Sequence, residues 1–195
     1  GDGRLTFARP ERENCDGYAY DPENPSQHII DMSENEIEVP EDYTREELRQ
    51  DLLCYTSPVL KEDLVLTGDM TAELYISSDA PDTDFVVRVT DVDENGRSIK
   101  LADGLLSARY RNGFAQSEFL QEGEIVCLKI RTTKLSNCFR KGHRIRVTVT
   151  SSAKNFIFPN SNTREGFASA RTVVAHNRVY HGGLHASRLT VRVEP

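Results

Sequence analysis

Residues 84–104 read DFVVRVTDVDENGRSIKLADG, two alternating runs around one acidic, glycine-bearing turn. Asp91, Asp93 and Asn95 stand two apart and Gly96 follows, which is how an EF-hand calcium loop begins. The last position of such a loop requires a glutamate that grips the ion with both oxygens. That position holds Ala102, and Asp103 comes one residue too late. The flanks settle the matter, because an EF-hand needs helices. Here Phe85, Val87 and Val89 share one face against Val86, Arg88 and Thr90, the period of two of a half-buried strand. The letters DENG tolerate left-handed backbone at low cost. The stretch is therefore expected to be a β-hairpin that binds no calcium.

The same period recurs on both sides. Met70, Ala72, Leu74 and Ile76 share a face, as do Val126, Leu128 and Ile130. In HRIRVTVTSS, Ile145, Val147 and Val149 point in, and Arg144, Arg146 and Thr148 point out; SRLTVRVEP repeats the pattern with Leu189, Val191 and Val193. Turn letters separate these runs: ENG, RNG, QEG, RKG and HGG. Short strands at such intervals, without a long amphipathic helix, predict an all-β sandwich or jelly roll. Residues 1–60 differ, being proline-bearing and poor in apolar residues. They are expected to be an irregular N-terminal segment, wrapping the sandwich of residues 61–195 or facing a missing domain. Thr44 and Glu47 form a capping-box pattern that predicts one short helix there. Asp79, Asp82 and Asp84 in SSDAPDTDF could hold a metal or perform acid–base work. A connecting turn whose aspartates bond nearby backbone amides is the preferred expectation.

With 24 Lys and Arg against 31 Asp and Glu in 195 residues, the formal charge is −7. That balance argues against nucleic-acid partners, which demand a basic stripe. FRKGHRIR alternates with apolar residues and reads as one face of a strand. No apolar run is long enough to span a membrane, and no signal peptide is visible. The chain opens on Gly1 and reads as a piece of a longer protein, so a targeting signal could have been removed with an earlier part. Cys15, Cys54, Cys127 and Cys138 are irregularly spaced, without a C-x-x-C, which disfavours zinc and fits a reduced, cytoplasmic setting. No cofactor is expected. The elbow G-x-S-x-G is absent. The serine pairs Ser77–Ser78 and Ser151–Ser152 lie at strand ends, and neither His143 nor His176 is expected to complete a triad with them. His176, His181 and His185 in HNRVYHGGLH are expected to be half-exposed hairpin residues rather than zinc ligands.

Longer stretches carry a resemblance. Residues 64–111 (LVLTGDMTAELYISSDAPDTDFVVRVTDVDENGRSIKLADGLLSARYR), 136–163 (SNCFRKGHRIRVTVTSSAKNFIFPNSNT) and 177–193 (NRVYHGGLHASRLTVRV) closely resemble the C-terminal, non-catalytic domain of CocE/NonD hydrolases. The X-Pro dipeptidyl-peptidases belong to the same superfamily. YAYDPENP and DLLCYTSPVL resemble that family's approach to the domain. The resemblance implies a galactose-binding-like jelly-roll β-sandwich preceded by an α/β-hydrolase domain that holds the whole triad. The sandwich would pack against the hydrolase and cap domains and help wall the substrate pocket, with a homo-oligomer left open. Its bearing surface is expected at Tyr18, Tyr20, Ile29, Ile30 and Met32, with residues 18–35 mobile or self-associated in the isolated chain. The other reading is a free-standing module that binds carbohydrate or another ligand, which the absence of Trp weakens. The parent substrate stays open among esters, amides, X-Pro peptides and β-lactam side chains.

Overall fold

A computed structural model describes residues 2–29 and 40–193. The strands are β1 (Asp2–Arg4), β2 (Asn14–Tyr20), β3 (Leu52–Thr56), β4 (Leu64–Gly68), β5 (Thr71–Ser78) and β6 (Asp84–Val92). They continue with β7 (Ser98–Ser107), β8 (Val126–Arg131), β9 (Leu135–Phe139), β10 (Arg144–Thr150), β11 (Ala175–His181) and β12 (Arg188–Thr190). One sheet runs β1-β3-β10-β6-β7. The other runs β8-β5-β11-β2, with β12 beside β5 beyond the end of β11, and β4 pairs with β9 separately. Setting aside the short β1 and β12 and the separate pair leaves eight strands. Numbered along the chain, they lie in the orders 2-7-4-5 and 1-8-3-6, which is jelly-roll connectivity.

The alternation places the core where the sequence put it except near residue 193, because β12 is only Arg188–Thr190 and Val193 is exposed. Ala72, Leu74, Ile76, Leu128 and Ile130 from one sheet meet Phe85, Val87, Val89, Val147 and Val149 from the other. These β-branched and aromatic side chains fill a layer between two pleated surfaces, and removing their apolar area from water is the main stabilising term. The hairpin of residues 84–104 forms as expected. Asp93 Oδ1 accepts the N–H groups of Asn95 and Arg97, so the carboxylate closes the turn, and Gly96 takes a φ of +84°.

Three expectations need correction. Residues 1–60 are no separate wrapping, because β1, β2 and β3 are strands of the two sheets. Tyr18 and Tyr20 were expected on an exposed bearing surface, but both are buried in the core, and β2 is hydrogen-bonded along its length to β11. NCDGYAY alternates after all, with only two large side chains to show it. The capping box at Thr44 and Glu47 does not form. A single 3₁₀ turn, Glu46–Leu48, stands there, and Thr44 Oγ1 instead bonds Asp42 and accepts Ser98 N–H. Ile30 and Met32 lie outside the described residues, and Ile29 is partly buried.

The outer face of the first sheet is also covered. Arg88, Thr90, Thr148 and Thr150 point away from the core yet are fully buried. Tyr43 lies against this face, its ring 4.0 Å from the Arg88 guanidinium carbon. Glu47 accepts from Arg146 at 2.6 Å and from Ser98 at 2.9 Å. The three guanidinium nitrogens of Arg88 have no hydrogen-bond partner among the described residues. No described helix is long and apolar enough to cross a membrane.

Candidate functional site

The crossover between β5 and β6, residues 79–83, is too short to let the two sheets part. It brings the ends of β5 and β2 beside the start of β6 and the end of β10. The connections 21–51, 108–125 and 151–174 leave from this same end, whereas the opposite end carries tight turns such as 93–97 and 140–143. Loops held by a rigid scaffold are where function concentrates.

Without a ladder, loop 151–174 must satisfy its backbone groups otherwise. Asp82 is the anchor. It accepts Arg109 N–H at 2.9 Å, Arg109 Nε–H at 2.7 Å and Asn160 Nδ2–H at 2.7 Å. The same Asn160 amide donates to Asp84 at 3.0 Å. Burial pushes the Asp84 carboxyl above the usual carboxylate range, against the hydrogen bonds from Ser107 and Asn160. Arg109 reaches on to the carbonyls of Thr163 and Arg164, both at 3.0 Å. Asn160 Oδ1 accepts Asn162 N–H, and Asn162, in left-handed backbone at φ 62°, donates to Val173 O. Ser161 Oγ donates to Gly166 O. Phe119 lies beneath the guanidinium groups of Arg109 and Arg164. This network pins the loop and leaves Phe158 and Phe167 stacked on the outside, ring centroids 5.9 Å apart, 79% and 74% exposed.

Of the three aspartates of SSDAPDTDF, Asp79 and Asp82 occupy the connecting turn and bond backbone amides, whereas Asp84 opens β6 and is held by the side chain of Asn160. The backbone amides belong to distant residues, His176 for Asp79 and Arg109 for Asp82. Asp79 sits below the usual range: burial raises it, but the N–H and ring of His176 outweigh that. The serine pairs serve the frame. Ser151 Oγ lies 2.8 Å from Tyr18 Oη and accepts from Asn177, Ser152 Oγ accepts Ser26 N–H, Ser77 Oγ lies 3.0 Å from Tyr180 Oη, and Ser78 Oγ accepts Ala80 N–H. His143 pairs with Asp91 and His176 with Asp79, away from those hydroxyls. His181 and His185 pair with different carboxylates, Asp16 and Glu13. Among the described residues no group of three or more His, Cys, Asp or Glu could hold a metal. Among the described residues none of the four cysteines is in a disulfide, and Cys54 is buried with its thiol donating to Glu47 O. A groove of about 260 Å³ lies where Gly104 approaches Arg131, lined also by Leu105 and Phe156.

Sequence reasoning missed Arg109, Asn160 and Asn162. The polar run PNSNT was the available signal, being too rich in side-chain amides and hydroxyls for an unstructured connection.

Comparisons with known proteins bear on the whole chain. A family profile described as the X-Pro dipeptidyl-peptidase C-terminal non-catalytic domain matches residues 1–190. Cocaine esterase of Rhodococcus sp. (strain MB1 Bresler) is 34% identical over 200 residues, covering 99% of this chain and 34% of that protein. The crystal structure of an aminopeptidase from the marine sediment archaeon Thaumarchaeota archaeon superposes with a TM-score of 0.91 at 25% identity, covering 99% of this chain and 35% of its own. An α-amino acid ester hydrolase superposes with a TM-score of 0.92 at 23% identity, covering 98% of this chain and 35% of its own, a likeness of fold. The chain thus spans about a third of the length of these proteins.

Proposed function

The chain belongs to the family of X-Pro dipeptidyl-peptidase C-terminal non-catalytic domains, and on that premise we propose that it is the accessory sandwich of a larger α/β serine hydrolase. In this reading it covers the hydrolase domain, touches the cap domain and helps wall a pocket for an ester or amide substrate. The observation that carries it is coverage. Nearly all of this chain matches about a third of a cocaine esterase, which leaves two-thirds of such a protein for the catalytic machinery. The relatives, an esterase, an aminopeptidase and an α-amino acid ester hydrolase, support acyl transfer to water as the parent chemistry. The structural employment of Ser77, Ser78, Ser151 and Ser152 fits a supporting role for this domain.

A fluorophosphonate probe tests the proposal. The parent hydrolase should label on one serine upstream of this chain, and the isolated chain on none. Removing the chain from the parent should lower kcat/KM. Stoichiometric labelling of a serine within residues 1–195 would sink the proposal.

A further inference from the structure

Six large apolar side chains are left in water on two loops at one end of the sandwich: Phe114, Phe156, Phe158, Phe167, Val173 and Val174. They are half of the exposed large hydrophobics among the described residues. Single exposed apolar residues are ordinary, but large apolar side chains in mutual contact on an ordered surface mark a partner. Phe158 and Phe167 are the sharpest case. They stack on each other, interplanar angle 25°, and turn outward from a loop whose interior is occupied by hydrogen-bonded polar groups. Neither ring can collapse inward without displacing that network. A connection of this length without strands is usually either a binding element or disordered, and the bonds of Asn160, Asn162 and Arg109 make it ordered.

We infer that the Phe158–Phe167 face is where the catalytic domain of the same polypeptide docks. The inference rests on the proposed accessory role and adds the surface. The occupant follows from chain length. About two-thirds of each matched protein lies outside the region that this chain covers, so the largest neighbour of this domain is that remainder. The area is adequate. An inter-domain interface buries roughly 600–1,500 Å² in total, and each aromatic side chain buries about 150–250 Å². The two stacked rings can supply much of one partner's share at the lower end of that range.

The test uses the intact parent hydrolase carrying Phe158→Cys or Phe167→Cys, with Lys129→Cys on the outer face of β8 as an exposed control. Maleimide labelling is timed, and the background from native cysteines is taken from the unsubstituted parent. Docking predicts that both loop positions react about tenfold or more slower than the control, as a site that must open first does. A Phe158→Ser, Phe167→Ser parent should show the same contact without a label, through faster proteolysis between its domains. Labelling as fast as the control, in a parent whose serine still takes the fluorophosphonate, would overturn this surface while leaving the accessory role standing. Protection that disappears on dilution to single chains would show a second copy on this face and would also overturn it. A parent without a reactive serine would remove the accessory role and this inference with it.

Discussion

Replacing Arg109 by methionine should uncouple the loop from the sandwich, and the cost can be worked from the contacts. The guanidinium is 12% exposed and its partner Asp82 is 0% exposed, so little solvent screens the pair. Deleting one member of a buried pair leaves an uncompensated charge, at a cost of about 3–5 kcal/mol. Asp82 keeps Arg109 N–H and Asn160 Nδ2–H, which argues for the lower end, about 3 kcal/mol. In a chain of this size each kcal/mol shifts Tm by about 2–4 °C, so a fall of roughly 6–12 °C is expected. Thermal and urea unfolding followed by circular dichroism would measure it. The pair hypothesis makes a second demand. Asp82→Asn in the Arg109→Met background removes the stranded charge while keeping an acceptor, and should recover part of the loss. A loss under about 1 kcal/mol, or a double variant no more stable than Arg109→Met, would refute the reasoning.

Arg88→Met should have the opposite sign. The three nitrogens of Arg88 are buried and unbonded, and a thioether of similar length keeps contact with Tyr43 without a desolvated charge, so stability should hold or rise by about 1–3 kcal/mol in urea titration; a clear loss would show that the guanidinium has an unseen role. Asp84→Asn should change the pH profile. Because burial raises the folded pKa of Asp84, the native state holds its proton more tightly, and wild-type stability declines as pH rises from the unfolded value through the folded one. The variant lacks that decline, so its stability relative to wild type should grow across this window, and a pH-independent difference between the two unfolding curves would count against the assignment.

The jelly roll was legible because its inner positions are β-branched and aromatic at a strict period of two, as in Ile145, Val147 and Val149. β2 was not, because NCDGYAY spends its outward positions on Gly17 and Ala19 and shows only Tyr18 and Tyr20. Burial of Arg88 and Thr148 was invisible for another reason. Alternation reports that a side chain leaves the core, but not whether Tyr43 and Glu47, some forty residues and more away in the chain, cover it afterwards. The site was least legible of all. Asn160 reaches Asp82 and Asp84 across 78 and 76 residues, and no local pattern encodes such a meeting. Phe158 and Phe167 look like core residues in a list of letters, and only the loop's geometry turns them outward.

That geometry explains why charges are kept where apolar side chains would be cheaper. An apolar substitute for Arg109 and Asp82 would cost no desolvation, but it could not bond the carbonyls of Thr163 and Arg164 or the amide of Asn160. The loop would then have no fixed path, and Phe158 and Phe167 would move towards the nearest apolar surface. A hydrogen-bonded network in a low dielectric is directional, so it fixes one conformation where hydrophobic contact would allow several. Arg88 lacks such partners, which is why the two arginines are expected to respond oppositely to the same substitution. The difference lies in what each guanidinium holds: Arg109 holds a loop that displays a surface, whereas Arg88 lies over the ring of Tyr43.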